Sequence, residues 1–112
     1  MEHGRISPLR VDVRWDGVVA TVTVAGELDM TTAPCLAERL AKVAAAHPER
    51  LVLDLASLVF VDVAGARALD RAHQALTAEC PVILRRPRPS ARKVFRLTGL
   101  MEDVNAGRGA VR

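Results

Sequence analysis

The chain has 112 residues, half of them hydrophobic, and a formal net charge of +3. That length predicts one domain filling residues 1–112, with enough apolar content for a core that needs no disulfide or metal staple. Apolar runs such as Leu51-Val52-Leu53 and Leu58-Val59-Phe60-Val61 are too short to span a bilayer. No apolar signal segment follows Met1-Glu2-His3-Gly4-Arg5. A cytoplasmic protein without membrane insertion is expected. The preponderance of Arg over Lys and the many Ala suggest a GC-rich bacterial genome.

The net charge hides an asymmetry. Residues 1–79 carry 8 Arg or Lys against 11 Asp or Glu, whereas residues 80–112 carry 8 against 2. Arg85, Arg86, Arg88, Arg92, Lys93 and Arg96 form a basic cluster that could hold an anion or nucleic acid. Trp15, Phe60 and Phe95 are the only aromatic residues. No stacking platform for single strands is visible, so a nucleic-acid partner is disfavoured and a solvated face is expected. Cys35 and Cys80 have no second Cys or His at ligand spacing and read as small buried or half-buried thiols.

In chain order, residues 10–15 alternate, with Val11, Val13 and Trp15 on one face, and predict a strand. Asp16-Gly17 then suits a type I′ hairpin turn. Residues 18–26 form the returning strand, with Val18, Ala20, Val22 and Val24 on one face. Thr31 or Thr32 can cap a helix that tolerates Pro34 in its first turn, buries Leu36, Ala37, Leu40, Val43 and Ala44, and ends near His47-Pro48. Residues 50–55 read as a strand buried on both faces. Residues 58–61 are another apolar stretch, ending at Asp62. A second helix turns Ala68, Leu69, Ala72, Ala75 and Leu76 inward and Arg67, Asp70, Arg71 and Gln74 outward. Residues 81–84 are a short buried strand, and residues 85–90, with two prolines, a loop. Residues 91–98 form a third helix with Ala91, Val94, Phe95 and Leu97 apolar and Gly99 at its C-terminal cap. The tail, 105–112, is expected to be flexible. Strands alternating with helices predict an α/β fold with a mostly parallel sheet and one antiparallel edge from the hairpin.

Rossmann, P-loop and nucleophile-elbow signatures are missing. His3, His47 and His73 have no partner at ligand or triad spacing. No cofactor or metal is expected. Asp29 and Asp62 are candidates for a carboxylate pair. The segment Phe60-Val61-Asp62-Val63-Ala64-Gly65 joins an apolar run to a helix, whose unpaired N–H groups suit an anion or a phosphorylated side chain, although Asp62 can cap them itself.

Three stretches resemble the STAS family, over roughly residues 9–104: Gly26-Glu27-Leu28-Asp29; Leu53-Asp54-Leu55 through Phe60-Val61-Asp62-Val63-Ala64-Gly65; and Val94-Phe95-Arg96-Leu97-Thr98-Gly99-Leu100. The resemblance implies a single-domain mixed β-sheet with an initial antiparallel hairpin and three main helices mostly on one face. It implies a non-enzymatic, anti-sigma factor antagonist-like protein whose partner is an anti-sigma factor that is also an ATP-using serine kinase. In that family the kinase phosphorylates the second Ser of an Asp-Ser-Ser-Gly loop. Here Asp62 and Gly65 match, but the Ser positions hold Val63 and Ala64, so phosphorylation at Ala64 is not expected. The partner-binding surface implied is Asp62, Val63, Ala64, Gly65, Ala66 and Arg67, with Asp29 nearby. Val63 could instead pack inward, Arg67 and Arg71 could meet an acidic partner face, and Thr31 and Thr32 could be alternative phosphoacceptors. A scaffold or accessory subunit of a sensory complex or lipid-transport system is an alternative role, and a nucleotide- or anion-binding module another. A homo-oligomer is compatible with the sequence.

Overall fold

The structure, a computed structural model, describes residues 9–101. The expected tail at 105–112 lies outside the described residues. The elements are β1 (Leu9–Asp16), β2 (Val19–Leu28), α1 (Ala33–Ala45), β3 (Arg50–Asp54), β4 (Leu58–Val61), α2 (Val63–Thr77), β5 (Val82–Arg85) and α3 (Pro89–Thr98).

The hairpin forms where the alternation placed it. β1 pairs antiparallel with β2, from Leu9 opposite Gly26 to Asp16 opposite Val19. The loop is Gly17-Val18 rather than Asp16-Gly17. Of these two residues only Gly17 has positive φ, at 62°. One left-handed residue at the first loop position is the pattern of a type II′ turn, whereas type I′ needs two. Val18 therefore belongs to the turn and is exposed.

β2 is the centre of the sheet. Its first half pairs parallel with β3, and β3 with β5, giving the order β1-β2-β3-β5. Its second half pairs parallel with β4, across a register shift at Gly26 and Glu27. The apolar stretch at 58–61 is thus a fifth strand. Its Leu58 and Val61 are buried while Val59 and Phe60 are exposed.

One face of the sheet is sealed by the helices. Ala20, Val22, Val24, Leu51 and Leu53 have no exposed surface, and Leu36, Leu40, Leu69 and Phe95 meet them from the helices in one core. Each buried Leu or Phe contributes about 1.5–3 kcal/mol through removal of apolar surface from water. α3 begins at Pro89, with proline at its first positions, and ends at Gly99 in the left-handed conformation. Leu97 does not join the apolar side of α3 but is 78% exposed. Cys80 is buried and Cys35 exposed, both as free thiols.

The parallel ladder carries one buried charge. Asp54, at the end of β3, is 6% exposed. Its carboxylate accepts from Arg86 at 2.7 Å and from the Ala56 N–H at 3.1 Å, with the Arg85 guanidinium 3.6 Å away. Burial pushes the Asp54 carboxyl up. The Arg86 and Ala56 hydrogen bonds and the two guanidinium charges outweigh it, and the group sits below its ordinary 3.8. Because the folded-state value is depressed, this contribution is complete above pH 3.8 and is lost as pH falls through the folded-state value. Arg86 is largely exposed, so the contribution is screened. Asp54→Asn is expected to cost about 1 kcal/mol at pH 7 and to make the loss of stability below about pH 4 shallower. Urea melts at pH 7 and pH 3 check this; an equal deficit at both values contradicts it.

Candidate functional site

The site grows from the point where β2 ends and α2 begins. The Asp62 N–H donates to the Leu28 carbonyl at 3.2 Å, tying the end of β4 to the end of β2. Asp62 is extended, and its Oδ1 accepts from the Gly65 N–H at 2.7 Å. It is therefore the side-chain N-cap of α2, satisfying one of the helix's free donors.

Gly65 makes the approach feasible. A Cβ there would lie 2.5 Å from the Leu28 carbonyl oxygen and 3.0 Å from the Asp29 Cα. The atoms it would strike belong to backbone, which cannot swing away. The glycine is needed for close contact between α2 and the end of β2. Gly65 is buried and Ala66 has no exposed surface, so neither offers a contact surface to a partner. They position the turn. Val63, by contrast, is 42% exposed, which decides against its packing inward, and Ala64 and Arg67 are exposed beside it.

Asp29 organises the neighbouring turn. Its Oδ1 accepts from the Thr31 N–H at 2.9 Å, the Thr31 hydroxyl at 2.7 Å and the Thr32 N–H at 3.1 Å. The Thr31 hydroxyl is the largest influence on the Asp29 carboxyl; with the Thr31 and Thr32 N–H groups it outweighs desolvation and holds the carboxyl below its ordinary value. Thr32 stands at the N-cap of α1, yet its side chain makes no cap bond. Its hydroxyl instead donates to the Glu27 carbonyl and accepts from the Asp29 N–H, each at 2.9 Å. Neither threonine caps α1 through its hydroxyl as expected; Asp29 gathers the donors of this turn. Thr32 is buried, while Thr31 is exposed.

The structure thus brings Asp29, Asp62 and Gly65 together around the Leu28 carbonyl, with each carboxylate engaged by its own turn rather than shared as a pair. Arg67 and Arg71 flank the surface, both exposed. His73 is half-buried on α2, and that burial lowers its pKa, consistent with a packing role. The basic cluster is partly consumed by structure: Arg85 and Arg86 face Asp54, and Arg88 Nε donates to the Ala56 carbonyl at 2.9 Å. Among the described residues no cluster of His, Cys, Asp or Glu could hold a metal ion, and no helix is long and apolar enough to cross a membrane. Sequence reasoning gave Asp54 no role; a lone acid inside an apolar strand, with Arg85-Arg86 closing the strand it pairs with, was the available signal.

The sequence matches the STAS domain over residues 10–108. The chain belongs to the STAS family. A solved STAS relative, an anti-sigma factor antagonist from Mycobacterium paratuberculosis, is 33% identical, with 82% of this chain and 79% of that one covered and a TM-score of 0.72. At lower identity, the anti-sigma factor antagonist SpoIIAA in its unphosphorylated form is 19% identical, covering 92% and 86%, with a TM-score of 0.67. A single-substitution variant of RsbS from Moorella thermoacetica is 21% identical, covering 92% and 86%, with a TM-score of 0.69. These two show the shared fold. A comparison with curated proteins returned no match. The mixed sheet, opening hairpin and three helices on one face are those of the STAS fold, and the chain has an anti-sigma factor antagonist-like architecture.

Two variants test how the STAS turn is held. Gly65→Ala is expected to destabilise by about 1–3 kcal/mol, because the backbone must move to admit a methyl group. Asp62→Ala is expected to cost about 1 kcal/mol through loss of the cap. Denaturant midpoints measure both; a Gly65→Ala protein as stable as the wild type contradicts the close approach.

Proposed function

We propose that this STAS domain is an anti-sigma factor antagonist that binds an anti-sigma factor of the ATP-using serine kinase type, thereby regulating transcription without catalysing a reaction. The observation that carries the reading is the exposed, uncharged first turn of α2 on a STAS scaffold. Val63 and Ala64 stand outward at the position the family uses for its phosphoacceptor, on a turn fixed by Asp62, Gly65 and Asp29. The relative from Mycobacterium paratuberculosis, itself an anti-sigma factor antagonist, supports the reading through its identity and coverage.

In this reading Asp62, Val63, Ala64 and Arg67 face the partner, with Asp29 at the edge of the contact. Gly65 and Ala66 act from beneath by holding the turn. Val63 and Ala64 give the partner an uncharged, apolar contact. A phosphate at this point would add nearly two negative charges beside Asp62 and Asp29. Ala64 has no hydroxyl to accept one, so release from the partner does not come from modification at this residue. The same missing hydroxyl favours the second reading, a STAS scaffold or accessory subunit of a sensory or lipid-transport assembly.

Affinity capture of the tagged protein from its own cells, with mass spectrometry of what stays bound, separates the two. Recovery of an ATP-binding anti-sigma factor upholds the antagonist. Recovery of transporter subunits or sibling STAS proteins, and no anti-sigma factor, replaces it. Ala64→Glu is expected to weaken binding of the recovered anti-sigma factor by about tenfold or more, because a charge enters an uncharged contact. Stability should change by less than about 0.5 kcal/mol, since a carboxylate is tolerated in a helix's first turn. Calorimetry of the purified pair and a urea melt read the two effects. Unchanged affinity in the folded variant rules Ala64 out of the interface.

A further inference from the structure

A trough runs between α1 and α2 on the surface away from the sheet. Its upper part, about 600 Å³, is bounded by Met30, Pro34, Ala64, Ala68, Arg67 and Arg71. Its lower part, about 610 Å³, lies over Leu40, Ala41, Ala75 and Leu76 and ends at His47 and Glu79. Ala37 and Ala72 line both parts, so they form one continuous trough. Each part falls within the volume range of small-molecule sites, roughly 300–1,000 Å³. Alanine side chains let the two helices come close but are too short to fill the space between them.

The charge along the trough is polarised from end to end. Arg67 and Arg71 stand at the upper part, and among the described residues neither has a carboxylate partner. The middle is apolar. The lower end carries the acidic Glu79, with His47 beside it. From the level of Ala33 to that of Ala45, α1 rises about 18 Å at 1.5 Å per residue, roughly the reach of an extended dodecanoyl chain.

We propose that this trough binds a long-chain monocarboxylate, a free fatty acid. Its head group meets Arg67 and Arg71, and its alkyl chain lies along Ala37 and Ala72 toward Glu79. The guanidinium groups supply charge-assisted donors to the carboxylate. The alanine and leucine floor removes the chain from water. Glu79 sets the direction and opposes a second carboxylate at the far end. This inference does not depend on the antagonist reading, because the ligand and the helices it touches suffice to test it.

The experiment is a methyl-resolved NMR titration of the purified full chain with sodium dodecanoate below its micelle concentration. Saturable shifts are expected at the methyl groups of Ala37, Ala68, Ala72 and Ala75. From octanoate to dodecanoate, affinity should tighten about two- to fourfold per added methylene, as expected for partial to full burial. Dodecanedioate and dodecyltrimethylammonium should bind at least about tenfold more weakly, for want of the matching charge pattern. Arg67→Glu with Arg71→Glu should cause a similar loss, and their exposed positions leave the rest of the spectrum in place. Ala72→Trp, which fills the middle of the trough, should abolish binding; if it does not fold, the arginine variant carries the test.

The proposal is overturned by no saturable shift, by shifts only above the micelle concentration, by equal binding of the cationic amphiphile, or by shifts spread over the methyl groups of the exposed Leu97 and Val59. A protein helix in place of the fatty acid would appear as loss of a partner in Ala72→Trp with no response to dodecanoate, and also overturns it.

Discussion

The rest of the site depends on the distance between one carbonyl and one helix. The Leu28 oxygen at the end of β2 accepts from the Asp62 N–H and lies against the Gly65 backbone, where any side chain would collide with it. That contact fixes how closely α2 sits on the sheet. With α2 fixed, Asp62 can cap it, and Val63 and Ala64 are turned outward. The adjacent Asp29 carboxylate gathers Thr31 and Thr32 at the entry to α1. Two helix entries are therefore built on two consecutive residues, Leu28 and Asp29, and neither can shift without disturbing the other.

Electrostatics on this protein follow a division of labour. The buried carboxylate, Asp54, is fully engaged by arginines and a backbone N–H and serves the sheet. Two residues of the basic segment are spent on it. Among the described residues Asp29 and Asp62 have no arginine partner: they accept from N–H groups of their own turns, Asp29 also from the Thr31 hydroxyl, and shape the turns that carry the exposed surface. In the antagonist reading, the outward face of those turns is left to Val63 and Ala64, so shape and apolar contact set affinity at the centre, with Arg67 at the rim.

Much of this was legible from residue order. Period-two alternation in β1 and β2 produced the hairpin, and the helical spacing of Leu36, Leu40 and Val43 produced α1. Asp62 at the junction of an apolar run and a helix announced its cap, and Gly99 announced the end of α3. Other features depend on partners distant in sequence. β4 hides because its exposure pattern is in-out-out-in, and its pairing needs the register shift at Gly26. The need for glycine at position 65 comes from backbone belonging to residues 28 and 29. Ala66 looked like surface because it adjoins the signature turn, yet it lies inside. Leu97 looked inward because it is apolar, but apolar residues also occur at protein surfaces. The trough between α1 and α2 is a property of two helices together, and the alanine spacing of either one read only as a buried face.

The double duty of β2 has a consequence for dynamics. The strand that pairs with β1 and β3 in the core also anchors β4 and the first turn of α2. One strand runs from the core to the site, with a register shift at Gly26 and Glu27 between its two pairings. Amide protons at Asp62 and Gly65, both hydrogen-bonded, are therefore expected to exchange with solvent through opening of the central sheet rather than through local fraying. In the antagonist reading, a partner docking on this turn would meet a preformed surface and order little backbone on arrival, so its affinity would not be taxed by folding the site.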